Sequence, residues 1–260
     1  MIKPPLNNYS FVFFRGLGRD AELWRDLLEV MQLPEERVFT WDLPGAGVFR
    51  KRLSPLSVSK LVDDIRSSHL NELPKKPAII VGMSLGGMIA IDWITRFKND
   101  FSAAALINTS VSSLSPPHRR LSLYALRQGL VSIVTRDTNE REKLILEMLS
   151  NNENNRVSAL PKWTEIQEKR PVHARNVLRQ LIAAAKFKLP KEKPRIPILV
   201  MNSLGDRLAD PSCSKKLSLT WDLPLETHPT AGHDLPLDDP EWVENKIVHF
   251  LEKNPSSESP

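Results

Sequence analysis

The sequence predicts an α/β protein: a doubly wound, mostly parallel sheet of about six strands, interrupted late in the chain by a helical insertion. Three observations predict it. Short apolar runs at 11–14, 38–41, 78–81 and 103–107 are continuous rather than alternating, the pattern of strands covered on both faces. Helical periodicity fills the gaps between them, so strand and helix alternate and right-handed crossovers follow. From 116 to 187 the alternation stops and only helical patterns remain.

Each strand run ends in turn chemistry. The first leads into Arg15-Gly16-Leu17-Gly18 and then a helical stretch at 21–31, with apolar residues at 23, 24, 27, 28 and 31. The second leads into Leu43-Pro44-Gly45 and a helix at 59–70. The third leads into Gly82-Met83-Ser84 and a helix at 87–97, and the fourth into Asn108-Thr109. Helices are expected next at 118–134, 138–150, 160–169 and 171–187, punctuated by Asn151-Asn152-Glu153-Asn154-Asn155 and Lys169-Arg170-Pro171. Strand character returns at 196–201 and 225–228, and an amphipathic helix at 240–251 follows. The expected division is a sheet domain at 1–112 and 191–255, a helical insertion at 113–190, and a polar tail at 256–260.

At 260 residues, with 41% hydrophobic and 26% charged side chains, the chain is long and apolar enough for one large core. Its single cysteine, Cys213, excludes an intramolecular disulfide framework and a multi-cysteine zinc site, and reads as a structural thiol in a reducing compartment. No apolar run approaches the roughly 20 residues of a membrane span. Residues 1–14 make a poor signal peptide, so a cytoplasmic monomer is expected, without metal or cofactor. The formal charge of +5 is unevenly placed: residues 115–195 hold 17 Lys/Arg against 8 Asp/Glu, a net of +9 on a body carrying −4. Such a segment attracts an acidic partner or substrate, or is simply a solubilised helical surface. It lacks the interleaved aromatics of a nucleic-acid interface.

The chemistry centres on Gly82-Met83-Ser84-Leu85-Gly86, followed by Gly87. The pattern alone is weak. Here it lies between a strand run and the helical run Met88-Ile89-Ala90-Ile91, and a strand entering a helix through so sharp a turn lifts the serine hydroxyl off the sheet edge. Flanking glycines avoid collision with the neighbouring strand and helix. The competing readings are a phosphate-binding βα turn and mere packing.

A serine hydroxyl needs a base, and the base needs an orienting acid, expected in the chain order Ser, acid, His. Asp206, on the loop after the strand near 198–201, is the acid candidate, with Asp210 its nearest rival. His233, in Ala231-Gly232-His233-Asp234 after the last strand, is the candidate base. His228 precedes Pro229 at the strand end and is poorly directed, while His69, His118, His173 and His249 fall on expected helices. A tetrahedral intermediate also needs two backbone N–H donors, expected from Leu85 and from Leu17 in the first βα loop.

Together these segments resemble the α/β-hydrolase superfamily over nearly the whole chain outside the insertion. The motifs that carry the resemblance are Phe13-Phe14-Arg15-Gly16-Leu17-Gly18, Asp42-Leu43-Pro44-Gly45-Ala46-Gly47, Gly82 to Gly87, Gly205-Asp206-Arg207-Leu208 and Ala231-Gly232-His233. The resemblance implies the α/β-hydrolase fold, with the insertion as a helical cap over the site. It also implies six strands, because the chain begins at what would be the family's third. The run Gly16-Leu17-Gly18-Arg19-Asp20-Ala21-Glu22-Leu23-Trp24 is similar to small bacterial esterases that demethylate pimeloyl-acyl-carrier-protein methyl ester in biotin synthesis. That likeness implies an acidic carrier docking on basic cap residues, here Arg119, Arg120 and Arg127. Two departures stand out: Arg15 occupies the family's usual histidine position, and Leu17 replaces a large aromatic. Three functions therefore compete: a serine carboxylic ester hydrolase, a carbon–carbon bond hydrolase or lyase with the same triad, and a non-catalytic binding protein. Ser84 in the nucleophile position argues against dehalogenase chemistry, which usually places a carboxylate there.

Overall fold

The computed structural model describes Lys3 and residues 5–74 and 77–255; the tail expected at 256–260 lies outside them. Six parallel strands form one sheet: β1 (Ser10–Phe14), β2 (Val38–Thr40), β3 (Ala78–Met83), β4 (Ala103–Ile107), β5 (Ile198–Ser203) and β6 (Leu225–His228). Their order is β2-β1-β3-β4-β5-β6, each pair in parallel register, as in Phe13↔Val81 and Val81↔Ala105. The chain therefore reverses its direction of travel across the sheet between β1 and β3. Clefts at the carboxyl ends of strands at such a switch point are where open α/β sheets bind ligands.

Strand alternation supplies two cores. Val12, Phe14, Ile80, Ala104, Leu106 and Val200 face α2 (Val58–Ser68), α3 (Leu85–Arg96) and α9 (Ser212–Trp221). Phe11, Phe13, Ile79, Val81, Ala105 and Met201 face α1 (Arg25–Met31) and α11 (Pro240–Lys253). Both faces are covered, which is why the strand runs read as continuous rather than alternating. Helix α3 is buried from Leu85 to Ile94, consistent with its apolar character on all sides.

Between β4 and β5 lie α4 (Pro117–Arg120), α5 (Leu123–Val134), α6 (Thr138–Leu149), α7 (Glu153–Lys169) and α8 (Ala174–Lys186). A separate small core of Leu146, Leu149, Ala159, Trp163 and Ile166 joins α6 and α7 to the sheet domain through Leu23 and Leu237, while Ala183 and Ala184 of α8 belong to the first core. Several element bounds differ from the sequence expectation, each for a local reason. The helix expected at 118–134 is two, because the Ser122 hydroxyl accepts the Ala125 N–H and starts α5 afresh. The helix expected at 160–169 begins at Glu153. Asn152 caps it by accepting the Asn155 N–H, and Pro161, which resembles a helix start, is carried inside. The stretch expected at 21–31 opens as a 3₁₀ turn, Ala21–Trp24, capped by Asp20. Helices α9 and α10 (Leu235–Asp238) are not apparent from periodicity. The first is rich in Ser and Lys, and the second is a single turn started by Pro236.

Candidate active site

The predicted residues lie at the carboxyl edge of the sheet, where His233 and Asp206 meet; among the described residues no hydrogen bond joins the Ser84 hydroxyl to His233. Ser84 follows β3 and has φ +55 and ψ −114, a backbone region that costs a non-glycine residue about 1–3 kcal/mol. The surroundings enforce it: the Ser84 N–H donates to Ile107 O at 2.8 Å, and its carbonyl accepts the Thr109 hydroxyl at 2.8 Å. A Cβ on Gly86 would lie 2.0 Å from the Phe14 carbonyl oxygen, and one on Gly82 would lie 2.3 Å from that of Gly86. The glycines at both flanks are therefore required by the closeness of β1 and α3.

His233 and Asp206 meet directly, His233 Nδ1 donating to Asp206 Oδ2 at 2.7 Å, with only 3% and 2% of their side chains exposed. A carboxylate can only accept, so the ring hydrogen sits on Nδ1 and leaves Nε2 as the basic nitrogen. The other oxygen of Asp206 accepts the Leu208 and Ala209 amides at 2.8 and 2.9 Å, which fixes the carboxylate from behind. The rival acid Asp210 is engaged elsewhere: the Ser212 hydroxyl and N–H, and after them the ion pair with Arg119, hold its carboxyl below the usual range. The rival base is equally committed. His228 Nδ1 accepts the Thr230 and Ala231 amides, so Nε2 carries the hydrogen and donates to Asp239 at 3.2 Å.

Two amides near Ser84 are unengaged. Among the described residues, no hydrogen bond uses the N–H of Leu85 or of Leu17. The next amide along, Gly18, is already taken by Gln180 Oε1 at 2.8 Å. Gly16 lies against Ser84, a Cβ there falling 3.4 Å from the serine's own, so the first βα loop borders the serine.

Several residues that build this edge are not evident from sequence. Asn108, in left-handed backbone at φ +45, donates to Ser203 Oγ and His233 O and accepts the Ser203 N–H, stitching β4, β5 and the histidine loop together. The Asn151 amide donates to Gly205 O and Thr230 O, both at 2.9 Å, tying the acid loop to the histidine loop. Asp238 accepts the Gly232 and Asn151 amides. None of these has a spacing signature. Arg15 does leave a signal, as the departure from the family's histidine. It is 2% exposed, forms a two-pronged ion pair with the fully buried Asp234, and lies over the Trp24 ring at 4.9 Å. It thus bolts the Leu17 loop to the residue after His233.

The helical insertion grips the same loop. Arg19 pairs with buried Glu142 on α6 at 2.8 Å and stacks over Trp163 of α7, and Asp20 takes a two-pronged pair from Arg170 just past α7. Gln180 of α8 bridges Gly18 N–H and Pro44 O. Of the three arginines expected to hold a carrier, Arg119 is paired to Asp210. Arg120 donates to the Ala184 and Ala185 carbonyls and to Ser110, and its burial lowers its basicity. Among the described residues, Arg127 alone of the three has no such contact. Cys213 is buried, and desolvation raises its thiol above the usual range, in keeping with a structural role.

A doubly wound sheet with a strained serine between strand and helix defines a class of proteins. The chain belongs to the alpha/beta hydrolase family, whose model matches residues 11–246. No curated protein matches the sequence significantly. Among solved structures it is similar to an enol-lactonase from Burkholderia xenovorans LB400 (17% identity, 96% of this chain and 94% of that one, TM-score 0.74). It is also similar to the esterase RhEst1 from Rhodococcus sp. ECU1013 (16%, 96% and 93%, TM-score 0.74) and to an esterase from Exiguobacterium antarcticum (17%, 94% and 92%, TM-score 0.74). At these identities the likeness is one of fold.

Proposed function

We propose that the protein is a serine carboxylic ester hydrolase acting through an acyl-enzyme. The observation that carries this reading is the buried His233–Asp206 hydrogen bond at 2.7 Å, on the same sheet edge as a serine held at φ +55. In the reaction, Ser84 Oγ attacks the ester carbonyl while His233 Nε2 takes its proton, and Asp206 keeps the imidazole in the required tautomer. The Leu17 and Leu85 amides receive the oxyanion, each such donor being worth about 10²–10³ in turnover. His233 then returns the proton to the departing alcohol, and water repeats the cycle on the acyl-serine. Purified protein should hydrolyse p-nitrophenyl acetate, and Ser84→Ala should lower kcat by at least about 10³-fold. Unchanged turnover in that variant rejects the mechanism.

A narrower reading is hydrolysis of a pimeloyl-acyl-carrier methyl ester. The run from Gly16 to Trp24 and the net +9 of the insertion support it. Arg119 and Arg120 are themselves engaged within the chain. Rescue of a biotin-requiring strain by the wild type but not by Ser84→Ala tests this reading.

A further inference from the structure

Helix α5 is built inside out. Its buried residues are Ala125 and Ser132, whereas Leu123, Tyr124, Leu126, Leu130, Val131, Ile133 and Val134 are exposed, Leu123 at 81% and Val134 at 75%. At 3.6 residues per turn these exposed positions fill one half of the helix circumference along about 18 Å, and Ala125 and Ser132 lie opposite. A helix on a soluble domain ordinarily turns its apolar stripe inward, and a contiguous exposed patch of this kind marks an interaction surface.

Within the segment that carries the patch, the charges share one sign. From Ser115 to Arg136 there is no carboxylate, while Arg119, Arg120, Arg127 and Arg136 are present. Arg127 and Arg136 are exposed, Arg127 within the apolar half itself. Arg207, also exposed, lies over the Tyr124 ring at 5.5 Å and donates only to backbone carbonyls. Asp210 is paired with Arg119, and Asp137 accepts the Glu140 N–H at the start of α6.

We infer that α5 is an interfacial helix that docks the protein on an anionic lipid surface. An apolar half-cylinder with cationic residues on and beside it is the composition that seats a helix at the headgroup boundary, arginine stems lying in the apolar layer and guanidinium groups reaching the phosphates. A second copy fits less well, because the same face on both partners sets arginines against arginines, with no carboxylate between Ser115 and Arg136 to meet them. An acidic carrier protein meets the arginines but leaves Leu130, Ile133 and Val134 against carboxylates. The docking has a direction. The Ser122 N–H and hydroxyl at the head of α5 bind the Leu208 and Arg207 carbonyls, in the loop whose amides hold Asp206. A lipid surface on α5 therefore lies beside the carboxyl edge of the sheet.

The test is co-sedimentation with vesicles of phosphatidylcholine alone and with phosphatidylglycerol added, at low and high salt. The wild type and Ser84→Ala should both bind the anionic vesicles, weakly or not at all the neutral ones, and binding should fall with salt. Leu130→Glu with Val134→Glu should cut partitioning by at least about tenfold, and Arg127→Gln by about fivefold. Both variants should keep wild-type turnover of p-nitrophenyl acetate, since none of these side chains touches the site. Binding by Ser84→Ala separates this inference from the hydrolase reading. Wild type remaining in the supernatant overturns the inference, as does binding untouched by the glutamates. A dimer in solution that the glutamates dissociate, or a purified acidic carrier protein that they release, also overturns it by assigning the face to that partner.

Discussion

Arg15 and Asp234 are charged and almost wholly buried; Leu123 and Val134 are apolar and largely bare. Both pairs run against the ordinary sorting of side chains between core and water, in opposite senses and in neighbouring parts of the molecule. The buried charges are matched, each to the other, and they hold two loops of the site in one place. The bare apolar residues are largely uncovered by the described residues. The contrast teaches where this protein is finished and where it is open: the buried pair is matched within the fold, and the outward half of α5 is left bare.

The largest effect should come from the site's centre. His233→Ala should cost at least about 10³-fold in kcat, and Asp206→Asn about 10³–10⁴-fold, because the tautomer is lost while the shape is kept. His228→Ala should leave kcat within a few-fold and lower stability by roughly 1 kcal/mol, having removed an acceptor from the Thr230 and Ala231 amides. Steady-state kinetics with urea melts distinguish them. Equal losses of kcat at both histidines erase the distinction between a site residue and a turn-builder.

The buried ion pair comes next. Asp234→Asn leaves Arg15 charged and unmatched, which should cost about 3–5 kcal/mol by urea unfolding, with reduced turnover. Arg15→Met together with Asp234→Leu should regain most of the stability, since apolar replacements of a buried pair are often neutral. If turnover stays low in that double variant, the pair positions the Leu17 loop against His233. If turnover returns with stability, the pair contributes to folding alone.

These residues also show what a sequence exposes and what it hides. The four inner strands were legible because burial on both faces writes continuous apolar runs, and Ser84 because a strand, a glycine-flanked turn and a helix follow one another without a gap. Asn108, Asn151 and Asp238 were not legible. Their work is done by single side chains reaching across 95, 54 and 6 positions to Ser203, Gly205 and Gly232, and a reach of that kind has no period. The outward turn of α5 was hidden for another reason. Leucines at 123, 126 and 130 have the spacing of a core-facing stripe, and only the packing of Ala125 and Ser132 against the protein shows which side faces in.

A smaller, pH-dependent effect belongs to Asp42. Its two oxygens accept the Ala21 and Val48 amides, at 2.7 and 2.8 Å, joining the 3₁₀ turn to the 42–48 loop. Burial, and after it the Asp20 carboxylate, raise its carboxyl above the ordinary range. The folded state then holds a proton that the unfolded state has released. Stability from this group is full below the unfolded value and falls as pH rises through the raised folded one. Asp42→Asn should lower stability by about 1–3 kcal/mol in acid, by setting an amide group against one N–H. Its deficit should shrink as pH rises, since only the wild type loses stability there. A constant deficit across pH removes the proton linkage.

The smallest effect sharpens the comparison most. Leu130 is 58% exposed on the outward half of α5, so Leu130→Gln should change the urea midpoint by no more than about 0.5 kcal/mol. The same change at Leu146, 1% exposed in the core shared by α6 and α7, should cost several times as much, about 2–5 kcal/mol, through a lost apolar contact and a stranded amide. The two leucines sit on adjacent helices of one insertion, and their composition gives no reason to treat them differently. If Leu130→Gln proves as damaging as Leu146→Gln, the face of α5 is covered within the monomer and needs no lipid. If it is silent in buffer yet weakens vesicle binding, the apolar residue is there for a surface the chain does not contain.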